Sequence, residues 1–182
     1  MTLARRGLAR AAPIATMALI VAAGCSGRHD GTQPDRARRG SPATAAAATC
    51  PAPSPVPSAR VPRILVTHVG GDDWYGSGPL WTQGIGAGMI RQEHGFRLKY
   101  GSFTLDDQGA MSDRPGRPRL TVRQVDGPGT GRSSVGGYAD ATGRGNAPIS
   151  FWPTVLTLPH SGCWQITESL PGTALRFQIQ AP

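Results

Sequence analysis

The sequence is short of acidic side chains, and this shortage is confined to its first third. The 182 residues include 11 Asp and Glu against 19 Lys and Arg, which gives a formal net charge of +8. Eight arginines but only two acids lie in residues 1–60, so residues 61–182 hold 11 basic and 9 acidic side chains. This part is therefore close to neutral and lacks the positive patch by which proteins hold nucleic acid. Nucleic-acid binding is disfavoured.

The N-terminal apolar run is too short to cross a membrane. Residues 11–24 form an uncharged run of 14 residues, whereas a spanning helix needs about 20. The run follows Arg5, Arg6 and Arg10, and a basic region before a short apolar run is typical of a signal peptide. Residues 1–24 are therefore predicted to be a signal peptide.

A cysteine follows this run directly. The segment Ala22-Ala23-Gly24-Cys25-Ser26 resembles the lipobox of bacterial lipoproteins, in which the cysteine becomes the lipid-modified first residue of the mature chain. Ala22 stands where that motif prefers Leu or Val. The resemblance implies lipidation of Cys25 and anchoring on the extracytoplasmic face of the cell membrane. Ordinary cleavage after Ala23, which would give a secreted protein, is the alternative.

Residues 25–60 are predicted to form a disordered tether behind the lipidated cysteine. Pro, Ala, Ser, Thr and Arg dominate them, and Val56 is the only large aliphatic residue. Such a segment cannot bury enough apolar area to offset an ordering entropy of about 1–2 kcal/mol per residue. The alternating prolines of residues 51–57 favour extended polyproline II. The tether would carry the following domain away from the membrane.

Residues 61–182 are predicted to be an all-β domain. Phe96, Leu98 and Tyr100 alternate with basic residues, and over residues 175–180 apolar residues alternate with polar ones. This alternation is typical of antiparallel sheets with one packed face. Turn dipeptides such as Asp126-Gly127 and Pro171-Gly172 separate the runs. About eight short strands favour a β-sandwich. Further strands are predicted over 63–69, 120–123, 134–139, 149–152, 155–158 and 163–168, whereas residues 81–93 fit a loop and a short helix equally badly.

The end of the chain carries a recognisable pair of strands. Residues 159–167, PHSGCWQIT, and residues 174–177, ALRF, resemble the "P-x-x-G-C-W-x-V-T … S-L-x-F" ending of a group of small uncharacterised bacterial exported proteins and lipoproteins. Gly78-Pro79-Leu80-Trp81 and Cys50-Pro51 match further features of that group. The resemblance implies an immunoglobulin-like sandwich, and it implies no activity and no catalytic residue.

The three cysteines fit an exported protein. Lipidation of Cys25 leaves Cys50 and Cys163, which are predicted to form a disulfide in an oxidising compartment. Cys163 alternates with Trp164 and Ile166, so the bridge is expected on the outer face of the sheet. Two free thiols are the alternative.

Motifs for catalysis are absent, so the domain is predicted not to be an enzyme. Residues 84–88 lack the full pattern of a nucleotide-binding loop, and the sequence has no G-x-S-x-G elbow. A hydrolase would require one of His68, His94 or His160 to meet a carboxylate such as Asp72 or Asp73 in a cleft. His160 and Cys163 would suit copper only if Cys163 were unpaired. No metal or cofactor is expected.

Three function classes remain for the domain. The leading prediction is a monomeric, membrane-anchored sandwich that binds or scaffolds another component of the cell envelope, either a protein or a wall polymer. The first alternative is a glycan or small-ligand binder, which would use Trp74, Tyr75 and Trp81 as a stacking platform and requires these rings to be exposed together. The second alternative is an envelope hydrolase.

Overall fold

The structure is a computed structural model that describes residues 50–85 and 88–182. Within them, ten strands form two antiparallel sheets that pack against each other, so the predicted all-β sandwich is confirmed. The predicted signal peptide, Cys25 and residues 26–49 of the predicted tether lie outside the described residues. No helix in the described ranges is long and apolar enough to cross a membrane.

The larger sheet has five strands in its main path and two more that pair with its long strands. The path is β1 (Trp74–Ser77), β2 (Leu80–Gln83), β4 (Gly95–Thr104), β8 (Pro148–Leu158) and β6 (Arg132–Val135). Strand β3 (Ile90–Gln92) pairs with β4, and β7 (Ala139–Thr142) pairs with β8. The smaller sheet has the order β10 (Thr173–Ala181), β9 (Gly162–Leu170), β5 (Arg119–Gln124).

The alternation read from the sequence builds the core between the sheets. Leu98 of β4 and Leu156 of β8 are cross-strand partners, and both are fully buried. Trp164 and Ile166 of β9 are also fully buried and belong to the same cluster. Burying such side chains contributes about 1.5–3 kcal/mol each. This inter-sheet core fixes which face of every strand points outward.

A second apolar cluster covers one end of the outer face of the larger sheet. It joins Trp74, Trp81 and Phe103 to Val61 and Leu65 from the segment before β1. Residues 50–60 also belong to the packed domain, although they are predicted to be tether. The backbone amide of Val56 donates to the Trp74 carbonyl at 2.7 Å, and the Val56 side chain packs on this cluster.

The predicted strand over residues 63–69 is wrong. The structure has a helical turn there, Leu65–Val69, which ends at Gly70 with φ of 86°. The apolar residues Ile64, Leu65 and Val66 all pack on the second cluster. Four apolar residues among seven suit a buried helical turn as well as a strand. Among the described residues no strand pairs with residues 63–69, and the segment forms the helical turn.

Two further strand predictions differ in their bounds. The runs predicted over 149–152 and 155–158 are one strand, β8, with Pro153 inside it. The carbonyl of Pro153 accepts from the Gly136 amide at 2.7 Å, at the junction where β6 ends and β7 begins. Proline has no amide hydrogen to donate to a neighbouring strand. It is tolerated at this position because neither β6 nor β7 pairs with β8 at Pro153. The run predicted over 134–139 is accordingly split between β6 and β7, and the undecided residues 81–93 contribute β3 and most of β2.

Candidate functional site

The three aromatic residues proposed as a stacking platform are buried. Trp74, Tyr75 and Trp81 are 1%, 7% and 4% exposed. Trp74 and Trp81 lie in the second cluster on the outer face of the larger sheet, whereas Tyr75 points into the inter-sheet core. Neighbouring residues of a strand point to opposite faces, so Trp74 and Tyr75 cannot form one surface. The platform interpretation is wrong, and these rings are core residues.

The three histidines do not form a site with the carboxylates. His94 Nε2 lies 3.8 Å from Glu93 Oε1, but both side chains are 89% exposed in the β3–β4 turn. His68 contacts the Pro148 carbonyl, and the His160 ring packs on Trp164. No group of three His, Cys, Asp or Glu residues in the described ranges is placed to hold a metal ion. The geometry that a hydrolase would require is therefore not found in the described part of the chain.

Cys50 and Cys163 form the predicted disulfide. Their Cα atoms are 5.2 Å apart, and 113 positions separate them in the sequence. Cys163 lies on the outer face of β9, because its neighbour Trp164 is fully buried between the sheets. Its sulfur lies 3.6 Å from Oε1 of Gln178 on the neighbouring strand β10. The bridge thus holds the first described residue of the chain on the outer face of the smaller sheet, and it leaves no thiol at Cys163 for copper.

A concavity of the described domain lies where β5 and β6 separate. Next to the turn at residues 125–128 the two segments pair, since the amide of Gln124 donates to the Gly129 carbonyl and that of Gly131 to the Val122 carbonyl. Beyond this point β5 stays beside β9, whereas β6 joins β8 in the other sheet. A β-carbon at Gly131 would lie 2.5 Å from Cγ1 of Val122, so the crossing requires glycine. The gap between the diverging strands is a cleft of about 990 Å³.

The cleft combines an apolar floor with a basic and hydroxylated rim. Leu120, Val135 and Leu170 supply apolar surface, and the rim carries two arginines and three serines: Arg117, Arg119, Ser133, Ser134 and Ser169. No carboxylate lines it. Ser133 pairs with Leu156 and therefore points toward the interior, yet it is exposed because the sheets are apart here. A mostly apolar cleft with a few polar groups is typical of a ligand site, and arginine suits carboxylate or phosphate groups.

A buried carboxylate lies directly behind the floor of the cleft. Glu168 is the β9 partner of Leu120, and it is fully buried between the sheets. The hydroxyl of Tyr100 donates to Glu168 Oε2 at 3.4 Å, whereas Oε1 has no partner among the described residues. Burial raises the pKa of Glu168 to about 7, and the nearby hydroxyls of Ser102 and Tyr100 oppose this rise only in part.

Glu168 also affects its tyrosine partner. Burial raises the pKa of Tyr100 well above its usual value, and the negative charge of Glu168 raises it further. Because Glu168 has no exposed surface, a substrate cannot reach it in this conformation. We therefore treat the carboxylate as a determinant of stability and not as a catalytic residue.

The residues of the cleft were not identified from the sequence. One signal was present, since the segment Arg114-Pro115-Gly116-Arg117-Pro118-Arg119 concentrates three arginines in six residues before a strand. A polar residue such as Ser133 at an inward position of β6 is a second signal. No protein-family model, no curated protein and no solved structure matches this chain significantly.

Proposed function

We propose that this protein is a bacterial cell-envelope lipoprotein, anchored through Cys25, whose β-sandwich binds another envelope component in the cleft between β5 and β6. The observation that carries the proposal is the cleft lining, which combines Arg117 and Arg119 with apolar side chains and contains no carboxylate. This chemistry favours an extended, partly apolar segment that bears a carboxylate or phosphate group. The diverging strand edges add backbone groups that can pair with such a segment. An immunoglobulin-like topology, which the sequence resemblance implies, is part of the same proposal.

The anchor is tested by removing its cysteine. Cys25→Ser is expected to move the protein from the membrane fraction to the soluble extracytoplasmic fraction, because one residue carries the lipid. The measurement is cell fractionation with the intact mass of the recovered protein. Cys50→Ser/Cys163→Ser is the control, since it removes the other two cysteines and leaves the anchor. An unchanged membrane fraction, or a mass without lipid in the original chain, would contradict the anchor.

The cleft is tested by filling it. A photo-crosslinking residue replaces Pro171, an exposed residue of the cleft lining, and the expected result is one adduct of defined mass in intact cells. Ser133→Trp places an indole in the cleft and is expected to reduce this adduct by about tenfold, as a loss of 1.4 kcal/mol of binding free energy would do. Thr142→Trp, on exposed β7, is the matched control and should leave the adduct unchanged. Equal yields from both tryptophan variants would remove the cleft as the binding site.

A further inference from the structure

The outer face of the smaller sheet carries three arginines and no acid. Arg119 and Arg123 lie on β5 and Arg176 lies on β10, and all three are exposed. Polar side chains stand between them, among them Thr121, Gln165 and Thr167, and we call these residues together with the three arginines the cationic face. One large apolar side chain borders it, since Val125 follows Arg123 at the next outward position, opposite Cys163, and is 51% exposed. The face is therefore suited to a polar, anionic surface.

The strand register fixes the spacing of these arginines. Arg176 pairs with Thr167, and Thr167 pairs with Thr121, which lies midway between Arg119 and Arg123. Strand spacing near 4.8 Å and a rise near 3.3 Å per residue place each pair of arginine Cα atoms about 12–13 Å apart. The three charges thus form a broad triangle and not a pocket for one small ion. Such an array can contact several separate anions at once.

The carboxylates of the described residues lie elsewhere. Glu168 is buried between the sheets, Asp140 lies on β7 of the larger sheet, and the remaining acids lie in turns and loops. The nearest in the chain is Asp126, which accepts from the Cys163 amide at the end of the face. No arginine or lysine in the described ranges forms an ion pair with a carboxylate. The charge of the cationic face is therefore available to an external anion.

We infer that the cationic face docks the domain onto anionic lipid headgroups of the membrane. Charge complementarity supports this occupant, and so does the disulfide, which holds Cys50 on the same face. The inference rests on the proposed function in one respect: an anchor at Cys25, only 25 positions before Cys50 in the sequence, would keep this face close to the lipid surface. The cleft rim at Ser133 and Ser134 lies on the other sheet, whereas Arg119 and Ser169 belong to both the rim and the outer face of the smaller sheet.

The inference is tested with the full chain carrying Cys25→Ser, so that no lipid anchor contributes. The protein is sedimented with phosphatidylcholine vesicles that contain or lack phosphatidylglycerol, at low and high salt. We expect binding only to the anionic vesicles, and loss of this binding at high salt. Arg123→Gln/Arg176→Gln should weaken it by roughly 30-fold, since each basic residue at such a surface contributes about a fivefold gain in affinity.

Lys99→Gln/Arg132→Gln is the matched control, because it removes the same charge from the outer face of the larger sheet. It should change vesicle binding by less than about threefold, and unfolding curves should show that both variants are folded. Equal loss in the two variants, or no binding to anionic vesicles, would overturn the inference. Binding to soluble polyphosphate without binding to vesicles would assign the face to a polymer and would also overturn it.

These outcomes are separate from the tests of the proposed function. Arg123 and Arg176 do not line the cleft, so failure of vesicle binding leaves the crosslinking result unaffected. The vesicle experiment uses protein without Cys25, so failure of the anchor does not alter it.

Discussion

Reduction of the Cys50–Cys163 bridge is expected to lower the free energy of unfolding by about 4–5 kcal/mol. The bridge joins residues separated by 113 positions, and cross-linking across so long a loop restricts the unfolded chain strongly in the chain-entropy model. It also holds the segment that leads to Val56, whose amide pairs with the Trp74 carbonyl beside β1. A domain of this size typically has a total stability of about 5–15 kcal/mol, so the reduced protein should be close to unfolding.

Urea unfolding with and without reductant measures this difference, and intact mass should rise by about 2 Da on reduction as two thiols form. Cys50→Ala/Cys163→Ala is the control, because it lacks the bridge under both conditions. It should resemble the reduced protein and should not respond to reductant. Equal stability of the oxidised and reduced chains, or an unchanged mass, would contradict the assigned bridge.

The strands that could be predicted from the sequence are those that bury one face and expose the other. Phe96, Leu98 and Tyr100 alternate with basic residues, and this pattern fixes both the strand and the face that it buries. The disulfide was predictable for a similar reason, since only two cysteines remain once Cys25 is assigned to the anchor. Local periodicity and a small number of cysteines leave few alternatives.

The wrong predictions concern residues whose burial or secondary structure depends on contacts with a distant segment of the chain. Spacing cannot show that Trp74 and Trp81 are covered, because the covering side chains Val61 and Leu65 come from a helical turn before β1. The same turn was predicted to be a strand, since an apolar run without a fixed partner fits either structure. The cleft depends on β5 and β6 joining different sheets, which is a non-local choice of partners.

Replacement of Glu168 by glutamine is expected to stabilise the domain above neutral pH and to have little effect in acid. The folded state holds this carboxyl with a pKa of about 7, raised from an ordinary value of 4.5 mainly by burial. The folded protein therefore binds the proton more tightly than the unfolded chain does. The fold is most favoured below pH 4.5, becomes less stable as the pH rises to about 7, and is not weakened further by this group at higher pH.

The size of this effect follows from the difference between the two pKa values. At 1.36 kcal/mol per pKa unit, ionisation of Glu168 destabilises the folded domain by about 3 kcal/mol above pH 7. Glutamine keeps the shape of the side chain and the acceptor for the Tyr100 hydroxyl, but it does not ionise. The variant should be more stable than the original protein by about 3 kcal/mol at pH 8. The two proteins should agree within about 1 kcal/mol at pH 4.

Denaturant unfolding of both proteins at several pH values between 4 and 8 measures this difference. Comparison of variant with original protein cancels the titration of the other groups. Glu93→Gln is the matched control, because it makes the same substitution at a side chain that is 89% exposed in the β3–β4 turn. Its stability difference should therefore stay constant with pH. A Glu168→Gln difference that is equally constant with pH would contradict the raised pKa of Glu168. It would mean that the ionised carboxylate is stabilised in the fold by contacts stronger than the hydrogen bond from Tyr100.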